Sequence, residues 1–452
     1  MDRLPPGPKR LGPIESLQVG AITSVSKLRQ LAARYGDTFR LPFRRQAVTF
    51  TGDPEALRAI YTAPPDSFDV WGVSTSAPVF GSRSLVVVTG EHHRRARKLL
   101  SPHFSAASLR AFAGVIAETA EAAARRWVPG QPFSMVETTR AISLDIMLHV
   151  VFGVRGDERV QRARAAVIEL VASVRPIFIL LPWLRRELGG LGPWARSQRA
   201  ERALNAILLE EIHARREGGV EGKDLLTAML SARYDDGGGM EDGEILEQLR
   251  GLLFAGHDST ALVLAWAFVW LQREPRVLER VLDEIEGLGP APSPEAFDTL
   301  PYLGAVCQEV LRLYPPVVDV ARVARRPFDL GGYTIPAGEA VRPTMTILHA
   351  RPDLYPEPDR FLPERFFGRQ FSPFEYIPFG GGARRCLGAA FALLEMKVVL
   401  GTLLRGHRLR LLRPERVQPV RVGFTMGPSG DVRTILEARR VVDDHGRVFT
   451  WA

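Results

Sequence analysis

Apolar residues recur every three or four positions along most of this chain, which is the spacing of helices with one buried face. The pattern predicts six long helices, at residues 108–127, 138–152, 199–215, 244–272, 276–285 and 303–313. Strand-like runs are short and occur at residues 38–41, 47–51 and 317–321, with a few more near the C-terminus. We therefore expect a mostly helical protein with few strands.

The loops and the N-terminus complete this pattern. Glycines 237–239 predict a loop before the longest helix, and residues 287–294 and 352–363 predict two more. The apolar run 252–271 has the length of a membrane span, but four polar residues at 257–260 leave only 261–271 uninterrupted, which is too short. Residues 1–30 contain Pro-Pro-Gly-Pro and no long apolar run. We expect no membrane anchor and a cytoplasmic location.

Composition narrows the classes of function. The chain has 452 residues, 46% of them hydrophobic, and a net charge of +8. Its two cysteines cannot build a disulfide framework or a four-thiolate metal site. A basic protein suggests nucleic acid, but no aromatic-and-basic module or zinc-finger spacing is present, so we expect no nucleic-acid partner. An acidic electron-transfer protein as partner explains the same charge.

The strongest local signal is the stretch Phe-Gly-Gly-Gly-Ala-Arg-Arg-Cys-Leu-Gly at residues 379–388. Cys386 follows a glycine hairpin and precedes an apolar run, 389–404, that predicts a helix. A helix N-terminus and cations such as Arg384 lower the pKa of a thiol, and a metal deprotonates it outright. The pattern predicts that Cys386 is a thiolate ligand beside a flat group, and the alternative is a small buried hydrophobic residue. Cys307 lies in an apolar helical stretch and is expected only to pack.

The second signal is Ala255-Gly256-His257-Asp258-Ser259-Thr260, midway along the longest predicted helix. Helical spacing places Ala255 and Ser259 on one face, with Gly256 and Thr260 beside them. Glycine and hydroxyl residues weaken the helical hydrogen bonds, so the helix can open at this turn and admit a small ligand or water. Asp258 inside an apolar helix is costly unless it moves protons or forms a salt bridge. A helix kinked for packing alone is the alternative.

The third signal is Glu309-Val-Leu-Arg312, with Pro-Glu-Arg365-Phe farther along the chain. Glu309 and Arg312 share a helix face and can pair, although most such pairs are surface bridges that contribute about 1 kcal/mol or less.

Together the three patterns resemble the cytochrome P450 superfamily of haem-thiolate monooxygenases. The match covers the haem-binding loop, the oxygen-binding segment and the Glu-x-x-Arg pair, and it extends from about Leu31 to the C-terminus. The resemblance implies a mainly α fold with a small β-rich lobe, in one catalytic domain over residues 1–452. It also implies haem b as cofactor and O2 as co-substrate.

The resemblance also implies roles for individual residues. Cys386 would be the metal ligand, and Glu309, Arg312 and Arg365 would support its loop. Asp258 and Ser259 would relay protons. The family places a threonine where Ser259 stands, so Thr260 could share the relay. The residues expected to contact the cofactor are His93, Arg97, Ala255, Gly256, Arg322, Phe379, Gly380, Arg384 and Gly388.

Four of the cofactor contacts, His93, Arg97, Arg322 and Arg384, are expected to bind the haem propionates. The alternative for His93 and Arg97 is an ordinary basic surface helix. The neighbouring Arg94, Arg95 and Lys98 fit that simpler interpretation, or a docking face for an acidic redox protein.

The implied reaction is insertion of one atom of O2 into a C–H bond, as hydroxylation or epoxidation, in a lipophilic small molecule. Fatty acids, terpenoids, steroids and polyketides all remain open. The resemblance places the pocket walls at residues 67–84, 177–183, 253–259, 317–321 and 423–428, where Asp319 would bind a polar group or cap a strand. Electrons would come from a ferredoxin or flavodoxin with its NAD(P)H reductase, and the protein would be a monomer.

Two other functions remain open. One is a peroxide-driven peroxygenase or a rearranging haem-thiolate enzyme, against which the acid–alcohol pair argues. The other is a non-catalytic haem-binding sensor.

Overall fold

The computed structural model describes residues 3–14, 16, 24–43, 46–153, 157–174, 177–186, 189–219, 222, 224–442 and 448–451. Helices dominate this part of the chain. Numbered in order, they are α1 Val25–Tyr35, α2 Pro54–Thr62, α3 Val73–Phe80, α4 Gly90–Leu100, α5 Ala106–Arg110, α6 Ala113–Ala124, α7 Met135–Val150, α8 Asp157–Ser173, α9 Ile177–Leu180, α10 Pro193–Gly218, α11 Leu225–Ser231, α12 Asp242–Arg273, α13 Pro275–Glu286, α14 Pro301–Leu313, α15 Met345–Leu348 and α16 Ala389–Gly406.

The six predicted helices all occur, with shifted ends. The segment predicted at 108–127 is divided between α5 and α6, while the helix predicted at 199–215 is longer and begins at Pro193 in α10. Proline at the first helical position also begins α2, α13 and α14, where its missing N–H costs nothing. The prediction of a mainly helical chain is confirmed.

Helix α12 is the central element of the fold. Residues 261–271 are buried on every side, which explains why this half of the helix is apolar all round. Asp242 and Glu244 in its first turn and Arg273 in its last turn match the helix dipole. By length and composition alone α12 could cross a membrane, but 67% of its most apolar window is buried within the protein. It packs against α7, α14 and α16.

The strands form a smaller part of the described chain. They are β1 Thr38–Pro42, β2 Ala47–Thr51, β3 Phe68–Val70, β4 Pro132–Ser134, β5 Arg322–Ala324, β6 Phe328–Asp329, β7 Thr334–Ile335, β8 Ala340–Pro343, β9 His407–Leu411, β10 Pro419–Val422, β11 Thr425–Pro428, β12 Arg433–Val442 and β13 Val448–Trp451. The largest sheet has the order β1-β2-β8-β5-β3, in which only β2 and β8 run parallel. Strand β12 pairs with β4, β9 and β13, and β10 and β11 form a hairpin.

One strand prediction is wrong. Residues 317–321 form no strand; the strand begins only at Arg322, and a single bridge joins Asp319 to Thr344. Val317 and Val320 in this segment are 42% and 39% exposed. Their β-branched side chains satisfy the strand pattern, but the segment forms only this one bridge and leaves both side chains partly exposed.

The apolar core has a main cluster among the helices and two clusters around the largest sheet. Trp266 of α12 and Leu400 of α16 belong to the main cluster. Ile60, Tyr61 and Ile377 belong to the second, which therefore extends to the residues just before the cysteine loop. The loop thus lies where the helical part meets the sheet.

Candidate haem-thiolate site

The cysteine loop is a tight, internally bonded turn. Gly380 and Gly382 have φ values of +64° and +65°, which side-chain-bearing residues rarely adopt. The Cys386 N–H donates to the Phe379 carbonyl at 2.8 Å, and the Gly388 N–H points at the Cys386 sulfur. Helix α16 starts immediately afterwards at Ala389. The predicted order of glycine turn, cysteine and helix is therefore present.

Glycine is also required where this loop meets α2. A Cβ on Gly382 would lie 2.3 Å from the Tyr61 carbonyl oxygen, and one on Gly381 would lie 2.4 Å from the Tyr61 ring. The loop backbone therefore packs directly on α2. Because nothing in the described chain lies within 4 Å of an added Cβ at Gly380 or Gly388, these two glycines border open space.

The thiol of Cys386 is accessible, whereas Cys307 is fully buried. From the helix N-terminus and the neighbouring cations we expected a lowered pKa for Cys386, but the pKa is shifted in the opposite direction. Desolvation by the surrounding protein raises the pKa of Cys386, and the Gly388 N–H, Arg385 and Arg97 offset this only in part. Accessible surface combined with desolvation is typical of a cavity wall. The neighbouring charges therefore do not fully offset the desolvation of this thiol, whereas coordination to a metal would deprotonate it.

Four basic residues from three parts of the chain meet beside the loop: His93 and Arg97 from α4, Arg322 from β5 and Arg384 from the loop itself. Desolvation lowers the pKa of His93 to about 4, with contributions from Arg384, Arg97 and Arg322. Desolvation, Arg322 and Arg97 likewise lower the pKa of Arg384 to about 10. The four predicted propionate partners are thus close enough to repel one another.

No carboxylate of the described chain forms an ion pair with these four residues. Arg384 donates to the Val88 carbonyl, and Arg322 donates to the carbonyls of Ile60 at 3.4 Å and Gly381 at 3.2 Å. The Arg322 Nε is buried without a hydrogen-bond partner, while its guanidinium lies 5.0 Å from the centre of the Tyr61 ring. A cationic cluster without an anion fits the two propionates of haem.

One face of α12 is also accessible, since Ala255 is exposed in the middle of a helix that is otherwise mostly buried. Ser259, one turn later, donates to the Ala255 carbonyl at 2.7 Å, and the helix is continuous through this turn. Thr260 is 6% exposed. The hydroxyl on the accessible face is therefore that of Ser259.

Gly256 has a different environment from the one predicted. A Cβ at this position would lie 3.3 Å from the sulfur of Met147 in α7. The absence of a side chain allows α7 and α12 to pack closely, so the Cβ position of Gly256 faces a helix and not the cofactor space.

Asp258 forms an ion pair that the sequence pattern did not identify. The Arg140 Nε donates to its Oδ1 at 2.8 Å, and the Thr425 hydroxyl donates to its Oδ2 at 3.1 Å. The side chains of Arg140 and Asp258 are 35% and 23% exposed, so the pair lies between the protein interior and solvent. Both partners are more than a hundred residues from Asp258 along the chain, and no local pattern could have indicated them.

The predicted triad of Glu309, Arg312 and Arg365 is present. Arg312 donates from Nε and Nη2 to the two Glu309 oxygens at 2.7 and 2.8 Å, and both side chains are fully buried. Arg365 donates to Glu309 Oε1 at 3.3 Å. The pair is therefore an internal network and not the surface bridge that its spacing alone allowed.

His349 joins this network to the cysteine loop, and the sequence pattern did not single it out. Its Nε2 accepts from the Ile377 N–H at 3.1 Å, so its Nδ1 carries the proton that reaches the Arg312 carbonyl at 3.2 Å. Burial lowers the pKa of His349 to about 3, with a further contribution from Arg312. The ring is therefore neutral, and its two hydrogen bonds link Arg312 to the residues before Phe379.

The remaining charges of α4 are engaged within the protein. Arg95 pairs with Asp236 at 2.6 Å, Lys98 with Asp235 at 2.8 Å, and Arg94 with Glu91 at 2.8 Å. These pairs favour the solvated-helix interpretation of Arg94, Arg95 and Lys98 over a docking face.

Apolar residues with exposed surface lie next to the accessible part of α12. Phe80 contacts both Phe254 and Phe424, with ring centres 5.6 and 6.1 Å apart, and Phe254 directly precedes Ala255. Phe424 is 38% exposed, and Val317, Val320 and Val86 are about as accessible. Exposed apolar side chains of this kind would suit contact with a lipophilic ligand.

The fold is mainly helical, and it presents one accessible thiol beside a cluster of basic residues. This combination is typical of a haem-thiolate enzyme. The cytochrome P450 family profile matches residues 5–432, and the chain belongs to this family. It is accordingly a monooxygenase that uses haem and O2.

Relatives and solved structures agree with this assignment. Cytochrome P450 138 of Mycobacterium tuberculosis is 34% identical over 95% of this chain and 96% of the relative, and cytochrome P450 137 is 33% identical over 90% and 84%. The retinoic acid-bound cyanobacterial CYP120A1 has a TM-score of 0.82 at 27% identity, covering 96% of this chain and 99% of that one. The cytochrome P450DA haem domain, at 24% identity, has a TM-score of 0.85 and shares the fold.

Proposed function

We propose that this protein uses haem b to insert one atom of O2 into a C–H bond of a lipophilic small molecule, by hydroxylation or epoxidation. The observation that carries the proposal is the accessible Cys386 thiol, which lies beside a cluster of basic residues without a carboxylate partner. The apolar wall around Phe80, Phe254 and Phe424 supports a lipophilic substrate. The retinoic acid bound to CYP120A1 is likewise lipophilic.

Each residue of the site has a role in this proposal. Cys386 would hold the haem iron through its sulfur, and Arg97, Arg322, Arg384 and His93 would bind the propionates. When bound, the haem supplies the O2 activation that a thiolate ligand favours. Phe379 and Gly388 border the cofactor, and Glu309, Arg312 and Arg365 hold the loop from behind. The rigid loop keeps the sulfur in one position during turnover.

Proton supply is assigned to Asp258 and Ser259. Asp258 contacts solvent because its ion pair with Arg140 is partly exposed. Ser259 presents its hydroxyl on the accessible face of α12. Exchange of the Ser259 hydrogen bond from the Ala255 carbonyl to a water would direct a proton into the site. The more deeply buried Thr260 is not assigned a part in the relay.

The proposal also covers the setting of the enzyme. It is a single catalytic domain and a monomer in the cytoplasm, and it receives electrons from a ferredoxin or flavodoxin with an NAD(P)H reductase. The profile match over residues 5–432 supports one catalytic unit along the chain. The net charge of +8 supports an acidic electron donor.

The direct test is the Soret band of the reduced, CO-bound protein, measured for the wild type and for Cys386→Ser. We expect the band at the thiolate position in the wild type and its loss in the variant, whereas Cys307→Ser keeps it. A thiolate band that survives in Cys386→Ser would contradict the assignment of the ligand.

Two assays separate the alternative functions. With surrogate ferredoxin, reductase and a lipophilic library, we expect NADH consumption coupled to an oxygenated product. No consumption with any compound would favour a non-catalytic sensor. Efficient turnover with peroxide alone, without redox proteins, would favour the peroxygenase instead.

A further inference from the structure

A cleft at the C-terminal end of α16 has no part in the chemistry described above. It lies between the ends of α6 and α16, residues 292–297 and strand β12, and its volume of about 450 Å³ is enough for a small metabolite. Helix α16 has 18 residues and extends about 27 Å from the cysteine loop to Gly406 in the cleft. The cleft is therefore separate from the cofactor site.

Basic side chains dominate the charged lining of this cleft. Its charged residues are Glu121, Arg125, Arg405, Arg439 and Arg440. Arg440 pairs with Glu286, with Nη2 and Oε1 2.7 Å apart. His407 also lines the cleft, but burial lowers its pKa and keeps the ring neutral. The remaining charges are those of three arginines and one carboxylate.

The three arginines form no ion pair with a carboxylate in the part of the chain that the structure describes. Arg405 donates to the Gly289 carbonyl at 3.0 Å. Arg439 donates to three carbonyls around the end of α6, the nearest of them that of Trp127 at 2.7 Å. The Arg125 side chain is exposed and donates no hydrogen bond to a described residue. Because backbone carbonyls are neutral, the positive charge of all three side chains remains.

Glu121 does not neutralise this charge. Desolvation raises its pKa, and Arg125 and Arg439 oppose that shift only in part. A carboxyl group with a raised pKa takes up a proton more readily, so it opposes a bound anion less than an ordinary carboxylate does. Even with Glu121 ionised, three arginines against one carboxylate leave an excess of two positive charges among the described residues.

A hydroxyl without a partner also lines the cleft. Thr402 of α16 is only 6% exposed. Its Oγ1 is buried and has no hydrogen-bond partner among the described residues, although a threonine in a helix can bond to the carbonyl of the preceding turn. Buried polar groups are normally paired, so this hydroxyl indicates a bound water or ligand atom in the cleft.

We propose that this cleft binds the phosphate group of a small phosphorylated molecule. A phosphate monoester carries a charge of about −1.5 to −2 at neutral pH, which matches the excess of positive charge. Arg125, Arg405 and Arg439 hold the phosphate oxygens through charge-assisted hydrogen bonds. The cleft is larger than a phosphate group requires, and the organic part of the ligand lies against Pro292 and Pro294. The site is independent of the proposed monooxygenase function.

The test is calorimetric titration of AMP, adenosine and inorganic phosphate into the haem-loaded protein at constant ionic strength. We expect AMP to bind about tenfold more tightly than adenosine, because the charge-assisted bonds reach only the phosphate, and to leave the Soret band unchanged. Arg125→Gln should weaken AMP binding about tenfold and should fold normally, since the Arg125 side chain is exposed and bonds to no described residue. Inorganic phosphate that binds as tightly as AMP would identify free phosphate as the ligand of the same site.

Arg126→Gln is the matched control, because Arg126 is also exposed, carries the same charge and does not line the cleft. It should leave AMP binding unchanged. Equal binding of AMP and adenosine, or equal weakening of AMP binding in Arg125→Gln and Arg126→Gln, would overturn the proposal. A Soret shift on addition of AMP would do the same, since it would place the ligand at the haem.

Discussion

The hydroxyl of Ser259 is the group at the site whose role depends most on a single hydrogen bond. It bonds back to the Ala255 carbonyl at 2.7 Å, and serine rotates about χ1 more freely than threonine does. The side chain can therefore leave this bond at little cost. The same freedom means that it is held less firmly in the position from which it would pass on a proton.

We expect Ser259→Ala to lower the amount of product formed per NADH by about tenfold or more, with hydrogen peroxide rising in its place, because positioned proton donors contribute about 10²–10⁴. Product, NADH and peroxide are measured together in the reconstituted system. Ser259→Thr should retain the yield. If Thr260→Ala uncouples the enzyme more than Ser259→Ala does, then Thr260 is the proton donor.

A second prediction at this scale concerns His349. Its pKa is about 3 in the folded protein, whereas an unfolded chain binds the proton near pH 6.5. Between these values the unfolded state takes up a proton that the folded state excludes. Stability therefore falls with decreasing pH by about 1.4 kcal/mol per unit from this group.

His349→Gln should lose this component of the pH dependence although it is less stable at neutral pH. Urea unfolding of both proteins at several pH values between 5.5 and 7.5 measures the difference in slope. His149→Gln, at an exposed position, is the control and should keep the slope of the wild type. Identical slopes in wild type and His349→Gln would show that folding does not change the pKa of His349.

At the level of elements, the Glu309–Arg312 network connects α14 to the chain before the cysteine loop. Arg312 also donates to the carbonyls of His349 and Pro358, each at 2.8 Å, so one side chain holds several segments. Such a buried network is costly to break on one side, because Glu309 would keep only the more distant Arg365, at 3.3 Å, as a charged partner.

We expect Arg312→Leu to destabilise the protein by about 3–5 kcal/mol and to reduce haem retention, because Glu309 stays buried and charged. Denaturant unfolding and the haem-to-protein absorbance ratio after gel filtration measure the two effects. The control is Arg94→Leu, which removes an exposed pair of the same spacing with Glu91 and should cost about 1 kcal/mol or less. A similar loss in both variants would argue against the network.

The elements also show how far sequence reasoning extends. Helices such as α12 and α14 were predictable because their buried faces impose a regular apolar spacing, and the Cys386 loop because its parts are adjacent in the chain. Segment 317–321 was mispredicted because β-branched residues also occur in a partly exposed segment that forms only one bridge. The pairing of Asp258 with Arg140, and the position of His349, depend on segments that meet only in the folded protein.

For the whole molecule, the net charge of +8 becomes relevant when the protein meets its electron donor. Much of the charge on α4 is neutralised by Asp235 and Asp236. Arg385, next to Cys386, is exposed and forms no ion pair in the described part of the chain. It is therefore a better candidate for contact with an acidic partner near the thiolate.

We predict that Arg385→Gln raises the KM for an acidic ferredoxin several-fold without changing kcat at saturation, because rim charges act mainly on association. Its activity should also depend less on salt than that of the wild type. Steady-state kinetics at low and moderate ionic strength provide the measurement, and Lys98→Gln is the control. A loss of the CO-bound thiolate band in Arg385→Gln would mean that Arg385 supports the ligand instead.

The cluster of Arg97, Arg322 and Arg384 has a consequence for how the protein is made. Before the cofactor arrives, these like charges oppose the approach of α4, β5 and the loop that carries Cys386. The two propionates of haem would offset this repulsion, so we expect haem binding to stabilise the folded form of this region. In a cell that synthesises the chain faster than haem, the newly made protein would be exposed to proteases at this junction, and the haem supply would set the yield of enzyme.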